Sequence, residues 1–216
     1  MIISIKQTSS NIRQKYDIES DNFHFKGELG NLFRFQPITV SNADTEIKGI
    51  HKISKLKNYI PFRYLFGKTN KTRMFYLYCD GVKYGSISFL REGLLKTRHI
   101  ISTDKTTFYC YIYAKGSFEY VSIYQDEKQV ALIETHLAAI DFKYTHKLYI
   151  LDGYEQYAET FSLFVLYYAN YNSVSRYHMS RGSVSEKAWT ISKYNNKFDP
   201  KWHETHFPDD NYWGTI

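Results

Sequence analysis

A chain of 216 residues with 18% aromatic side chains, 4 prolines and a formal net charge of +6 has room for one domain with a sizeable core, or two small ones. It is too aromatic and too poor in proline to be disordered. The sequence lacks G-x-S-x-G, a P-loop, G-x-G-x-x-G and any C-x-x-C pair, so the usual signatures of hydrolases, nucleotide binders and dithiol enzymes are excluded; a non-enzymatic role without cofactor is expected. The positive excess admits an anionic partner without naming one.

The opening MIISIKQTSSNIRQKY turns polar after five residues and lacks the apolar core of a signal peptide, which predicts a cytoplasmic chain. Its two cysteines, Cys79 and Cys110, lie inside aromatic strand-like runs and read as buried free thiols of a reducing compartment, a single bridge between them being the alternative. Up to Val40 short alternating segments bounded by Ser, Asn, Asp or Gly predict strands at Ile2–Ile5, Phe23–Phe25 and Leu32–Phe35. Ser41–Glu46 (SNADTE) reads as a loop.

From Ile47 to Cys79 there is no acidic residue. The segment carries Lys48, Lys52, Lys55, Lys57, Arg63, Lys68, Lys71 and Arg73, together with His51. Ile50, Ile53, Leu56 and Ile60 recur at helical spacing, which predicts an amphipathic helix with a basic opposite face, ended by Pro61. Aromatic residues beside lysine and arginine suit an anionic phospholipid surface. A solvated basic face with no ligand accounts for the same pattern.

Beyond Arg73 the period becomes two. RMFYLYC, Asp80-Gly81 and VKYGSISFL read as a hairpin with a two-residue turn. Further strands are predicted at Arg98–Ser102, Thr106–Ala114, Ser117–Tyr124, Gln129–Thr135 and Phe142–Leu151, a meander of about seven strands with all-β spacing. His99, His136 and His146 fall on these strands and read as core or cross-strand residues.

The meander leads into Tyr154–Asn172 (YEQYAETFSLFVLYYANYN), with Asp152 as expected N-cap and Glu155 placed for a capping box. Tyr157, Phe161, Phe164 and Tyr168 line one helical face, and Leu163, Val165 and Leu166 make the others apolar too. Such a helix is buried on all sides. Its run is shorter than the roughly 20 apolar residues of a membrane span and is diluted by Asn and Tyr, so a core helix is expected and no transmembrane segment. Residues 173–216 are expected to form an arm on the domain surface, with Trp189, Ile191, Tyr194 and Phe198 as contacts and WHETHFPDDNYWGTI partly mobile. His203, Glu204, His206, Asp209 and Asp210 could ligate a metal, but their spacing is not that of H-E-x-x-H, and no metal is expected.

A meander must bury one face, and an all-apolar helix needs enclosing. The fold expected is therefore mainly β, a closed antiparallel barrel of about 12 strands around the Tyr154–Asn172 helix, formed by residues 1–172 with a basic insert at 47–72. YIYAKGSFEYVSIYQDEKQVALIE followed by KLYILDGYEQYAETFSLFVLYY resembles the C-terminal half of tubby-like domains, and more closely their LURP-one-related and phospholipid-scramblase-like branch. Gly116, the Gln125–Lys128 turn, Val130-Ala131, Tyr149 and Leu163–Leu166 carry the resemblance, which spans about Arg73–Tyr171. It implies the same barrel around a hydrophobic helix and a non-enzymatic module at anionic lipid or a membrane surface. No binding residue is transferred by it. The alternatives are a structural or protein-interaction domain, and nucleic-acid binding through the basic segment.

Overall fold

The computed structural model describes residues 1–9, 13–29, 37–51, 70–92, 95–137, 143–173, 188–189 and 192–210. Twelve strands follow one another round a closed sheet: β1 (Ile2–Ser9), β2 (Gln14–Glu19), β3 (His24–Leu29), β4 (Ile38–Ser41), β5 (Glu46–His51), β6 (Asn70–Cys79), β7 (Val82–Arg91), β8 (Thr97–Thr103), β9 (Thr107–Gly116), β10 (Phe118–Gln125), β11 (Lys128–His136) and β12 (Thr145–Ile150). Each pairs antiparallel with its neighbours in the chain. β12 closes the ring on β1, in a register that sets Ile3 opposite Leu148 and Ile5 opposite His146. A two-residue strand, β13 (Ala188–Trp189), adds to β9 beside Lys115 and Gly116.

Alternation sends one side chain in two to the interior. Ile3 and Ile5, Tyr16 and Ile18, Phe25 and Leu29, Ile38 and Val40 are buried, while Lys6, Lys15 and Lys26 between them are exposed. A membrane barrel carries its apolar residues outward and its polar ones inward; this barrel has the opposite arrangement. Through its middle runs α1 (Ala158–Ser173), whose residues Phe161–Tyr168 are all buried. Phe161 meets the Phe108 ring of β9 at 5.0 Å, Tyr167 meets Phe75 of β6 at 5.3 Å, and Phe164 lies 5.7 Å from the His99 ring of β8. On β3, Gly27 faces Leu166 so closely that a Cβ there would stand 2.6 Å from its Cδ1. The helix thus touches strands all round the ring. No described helix is long and apolar enough to cross a membrane.

The helix starts differently from the capping pattern. Asp152 lies in an exposed turn, Gly153 takes φ +84°, and a short 3-10 turn (Glu155–Tyr157) leads into α1 with Tyr154 at its N-cap and no side-chain capping bond. The reversal from β12 into the lumen needs a left-handed residue, which glycine supplies, and this spends the two residues that Asp152 would have needed to reach the helix. The Asp80-Gly81 turn does form as expected, with both residues at positive φ (47° and 81°).

The amphipathic helix expected from Ile50 is corrected at its start. Ile50 and His51 belong to β5, paired with Tyr76 and Phe75. Ile47 and Gly49 face inward while Ile50 is exposed, which is strand alternation. Residues 52–69, like the expected Leu32–Phe35 strand, lie outside the described residues. β2 and β4 were not among the expected strands.

Candidate functional site

The helix fills the lumen, so surfaces able to meet a partner lie outside the ring. Of the predicted basic residues, Lys48 sits on β5, opposite Thr39 and Tyr78, and is half-buried among its outward neighbours. Lys71 and Arg73 lie on β6. Lys52, Lys55, Lys57, Arg63 and Lys68 fall outside the described residues, between His51 at the end of β5 and Asn70 at the start of β6.

Strands β10 and β11, and the end of β12, differ from the rest by being buried on both faces, because residues 192–210 lie across the outside of β9–β12. Crossing begins at β8, where the Tyr194 hydroxyl donates to Glu92 Oε2 at 2.6 Å while Arg98 pairs with Glu92 Oε1 at 3.2 Å. Burial, reinforced by the bond to Glu92, pushes the Tyr194 hydroxyl up to about 12. Next, the Tyr124 hydroxyl donates to the Lys197 carbonyl at 3.1 Å, and Lys197 pairs with Glu127 in the β10–β11 turn. Phe198 stacks on Tyr113 at 4.3 Å between centroids and leans on Tyr120 at 4.8 Å. A half-open recess of ≈ 340 Å³ is left there, lined by Tyr113, Lys115, Tyr120, Asn195, Phe198 and Pro200.

At the far end of the crossing, residues 202–210 of the expected arm pack on the barrel. Trp202–His206 forms a short helix, α2, with Trp202 and His203 buried. Trp202 joins Tyr120, Leu132 and Tyr149 in a second apolar cluster outside the ring. The rest of the tail, 211–216, lies outside the described residues.

Beneath α2 the outward residues of β11 and β12 form a buried polar cluster. Lys147 Nζ donates to both oxygens of Asp210, at 3.1 and 3.0 Å, and the Tyr149 hydroxyl donates to Asp210 Oδ2 at 2.8 Å. His203 Nε2 lies 3.4 Å from the same oxygen. Burial opposes the charge on Asp210, yet the Lys147 and Tyr149 bonds outweigh it and hold the carboxyl below its usual range. Burial also lowers His203, against the pull of Asp210. Glu134, 3% exposed, stands opposite Lys147 and Tyr120 in the sheet register. Among the described residues neither of its carboxyl oxygens makes a hydrogen bond. The nearby Tyr149 hydroxyl, which donates to Asp210, lowers Glu134 only slightly. Burial therefore pushes Glu134 up to about 7, with Lys147 offsetting only part of the shift and Asp210 adding to it.

The cluster was half legible. His203 and Asp210 stand among the five residues of possible ligand type in the sequence; Glu134 and Lys147 do not, because only pairing of β11 with β12 under the arm brings them together. Glu204, His206 and Asp209 are exposed, with His206 stacked on Trp202 at 4.9 Å. Among the described residues no group of three or more His, Cys, Asp or Glu could hold a metal ion. Cys79 and Cys110 are free, the latter fully buried in the inner core. His99 is buried among Phe89, Phe164, Tyr167 and Tyr168, and His146 meets the Thr135 hydroxyl at 2.8 Å.

Compared with known proteins, the chain matches no protein-family model, no curated protein and no solved structure.

Proposed function

We propose that the chain is a non-enzymatic binding module of tubby-like type that docks on an anionic lipid surface through its basic segment, as a peripheral protein of the cytoplasmic face. One observation supports this reading above the others: acidic turns are gathered at one end of the barrel, and the described residues that flank the lysine-rich stretch are at the other. The turns β2–β3, β4–β5, β6–β7, β8–β9 and β10–β11 and the β12–α1 connection all lie at one end of an up-and-down ring. They hold Asp21, Asp44, Asp80, Asp104, Asp126, Glu127 and Asp152, with Lys105 as their only basic residue. His51 and Asn70, which flank the lysine-rich stretch in the sequence, are at the other end. A molecule so polarised approaches a negative surface in one orientation.

The test is co-sedimentation of the full chain with vesicles of neutral lipid and of neutral lipid containing anionic lipid. Preferential binding to the anionic vesicles is expected. With each lysine near the surface worth about 1 kcal/mol, replacing Lys52, Lys55 and Lys57 by alanine should weaken binding by about a hundredfold. Equal binding to both vesicle types, or unchanged binding by the triple variant, overturns the reading. A protein-interaction domain is the second reading, favoured by the aromatic recess between Tyr113 and Phe198; it predicts a stoichiometric protein complex that survives the same triple substitution.

A further inference from the structure

The buried polar cluster under α2 has a property that the lipid reading does not use. Glu134 points outward from β11, where a side chain on an uncovered barrel strand would face water. Its 3% exposure therefore reflects the cover laid over it by the arm. The groups acting on it are Lys147 and Tyr149 from β12 and Asp210 from the arm, with Tyr120 of β10 opposite it in the sheet, His203 against Asp210 and the exposed Glu204 beside His203; His136 lies two residues further along β11 on the same face. Asp210 already receives Lys147 through both carboxylate oxygens and the proton of Tyr149. With Glu134 neutral, Lys147 and Asp210 balance. Once Glu134 ionises, the covered cluster carries an uncompensated negative charge beside Asp210.

We propose that the Glu134–Lys147–Tyr149–His203–Asp210 cluster is a proton-operated clasp, in which loss of the proton on Glu134 loosens residues 192–210 from the outer face of β9–β12. Lifting the arm removes Asp210 from the site and returns Glu134 to water. The open state thus binds this proton more weakly than the closed one, and the closed-to-open ratio falls as pH rises through the interval between the two affinities. That interval runs from the ordinary carboxyl range to about 7. His203 works in the opposite sense, because burial holds it neutral when the arm is closed. Protonating it below its ordinary range also weakens the hold. Where the two ranges overlap, His203 offsets part of the fall set by Glu134. Lifted, the arm would bare Tyr113, Tyr120, Leu132 and Tyr149.

Amide hydrogen exchange of the full chain, read by mass spectrometry over residues 201–210 from pH 5.5 to 8.5 and divided by the intrinsic exchange rate at each pH, tests the clasp. Wild-type protection should fall as pH rises while Glu134 titrates, less steeply than about tenfold per pH unit because His203 offsets part of it, and level off above it. Glu134→Gln and Glu134→Met should both lack that fall. Glu127→Gln, which weakens a different arm contact, should lower protection while keeping the slope. Protection of β10 and β11 in the same samples reports that the barrel is intact. A wild-type profile without the fall, or an equal fall in both Glu134 variants, overturns the proposal.

Discussion

Gly49 shows how narrowly a single position is specified. A Cβ built there would stand 1.7 Å from Phe75 Cε1 and 2.5 Å from its Cζ, and that ring is held in turn against Tyr167 of α1. Only a residue without a side chain lets β5 pass the ring. Gly49→Ala should destabilise the fold by at least about 1–3 kcal/mol, read from the shift of a denaturant midpoint at unchanged slope. Glu134 is specified for the opposite reason, since its charge is disfavoured. Its carboxyl binds a proton more tightly folded than unfolded, so its contribution to stability is fully present below the ordinary carboxyl range and declines as pH rises to about 7. The loss by pH 8 is on the order of 3 kcal/mol. Glu134→Gln should therefore be more stable than wild type at pH 8 and lose that advantage at pH 4.5, in denaturant unfolding at the two values.

At the scale of elements, α1 is the part that every strand depends on. Its Phe161–Tyr168 stretch is apolar on each face because a strand stands opposite each face, and burying each large side chain contributes about 1.5–3 kcal/mol. Leu166→Asp places a charge against β3 with no partner and should abolish the cooperative unfolding transition; a retained transition at the wild-type midpoint would contradict the enclosed helix. The arm is held more lightly, by rings and a few polar contacts. Phe198→Ala removes the stack on Tyr113 and the contact with Tyr120, about 0.5–1.5 kcal/mol for each pair beyond area burial. It should make Trp202 accessible to a fluorescence quencher in a background with Trp189 and Trp213 replaced by Phe, while the barrel melts close to the wild-type temperature.

Taken as a whole, the molecule is a ring with its seam between β1 and β12. Closure removes the exposed strand edges that would pair with other chains. The seam is fixed by the ladder from Ile2 opposite Tyr149 to Lys6 opposite Thr145, and by the N-terminal ammonium donating to the Ile150 carbonyl at 2.8 Å. Deleting residues 1–9 frees the edges of β2 and β12 and uncovers α1 along its length. Such a chain should aggregate and show no cooperative melting. The gathering of acidic turns is also a property of the whole ring: strand order collects carboxylates scattered from Asp21 to Asp152 at one rim.

Periodicity alone determined the strands from Arg73 onward, the Asp80-Gly81 turn and the central helix, because these signals are local: alternation every second residue, a left-handed pair at a hairpin, and a run apolar on every face. The same reasoning led to closure, since that helix has no other way to bury all its sides. Where local pattern was short it misled. Ile50 stands at helical spacing from Ile53, yet β6 claims it as a strand partner, and β2 offers only Tyr16 and Ile18 as inward residues. The Asp152 cap gave way to the geometry of re-entering the lumen. Tertiary structure alone decided that the tail packs and that Glu134 meets Lys147 and Asp210. Those residues are 13 and 76 positions away from Glu134 along the chain, and their meeting depends on which strand pairs with which and on what covers the pair. No window of sequence records that, because burial of a charge is a property of the whole assembly around it.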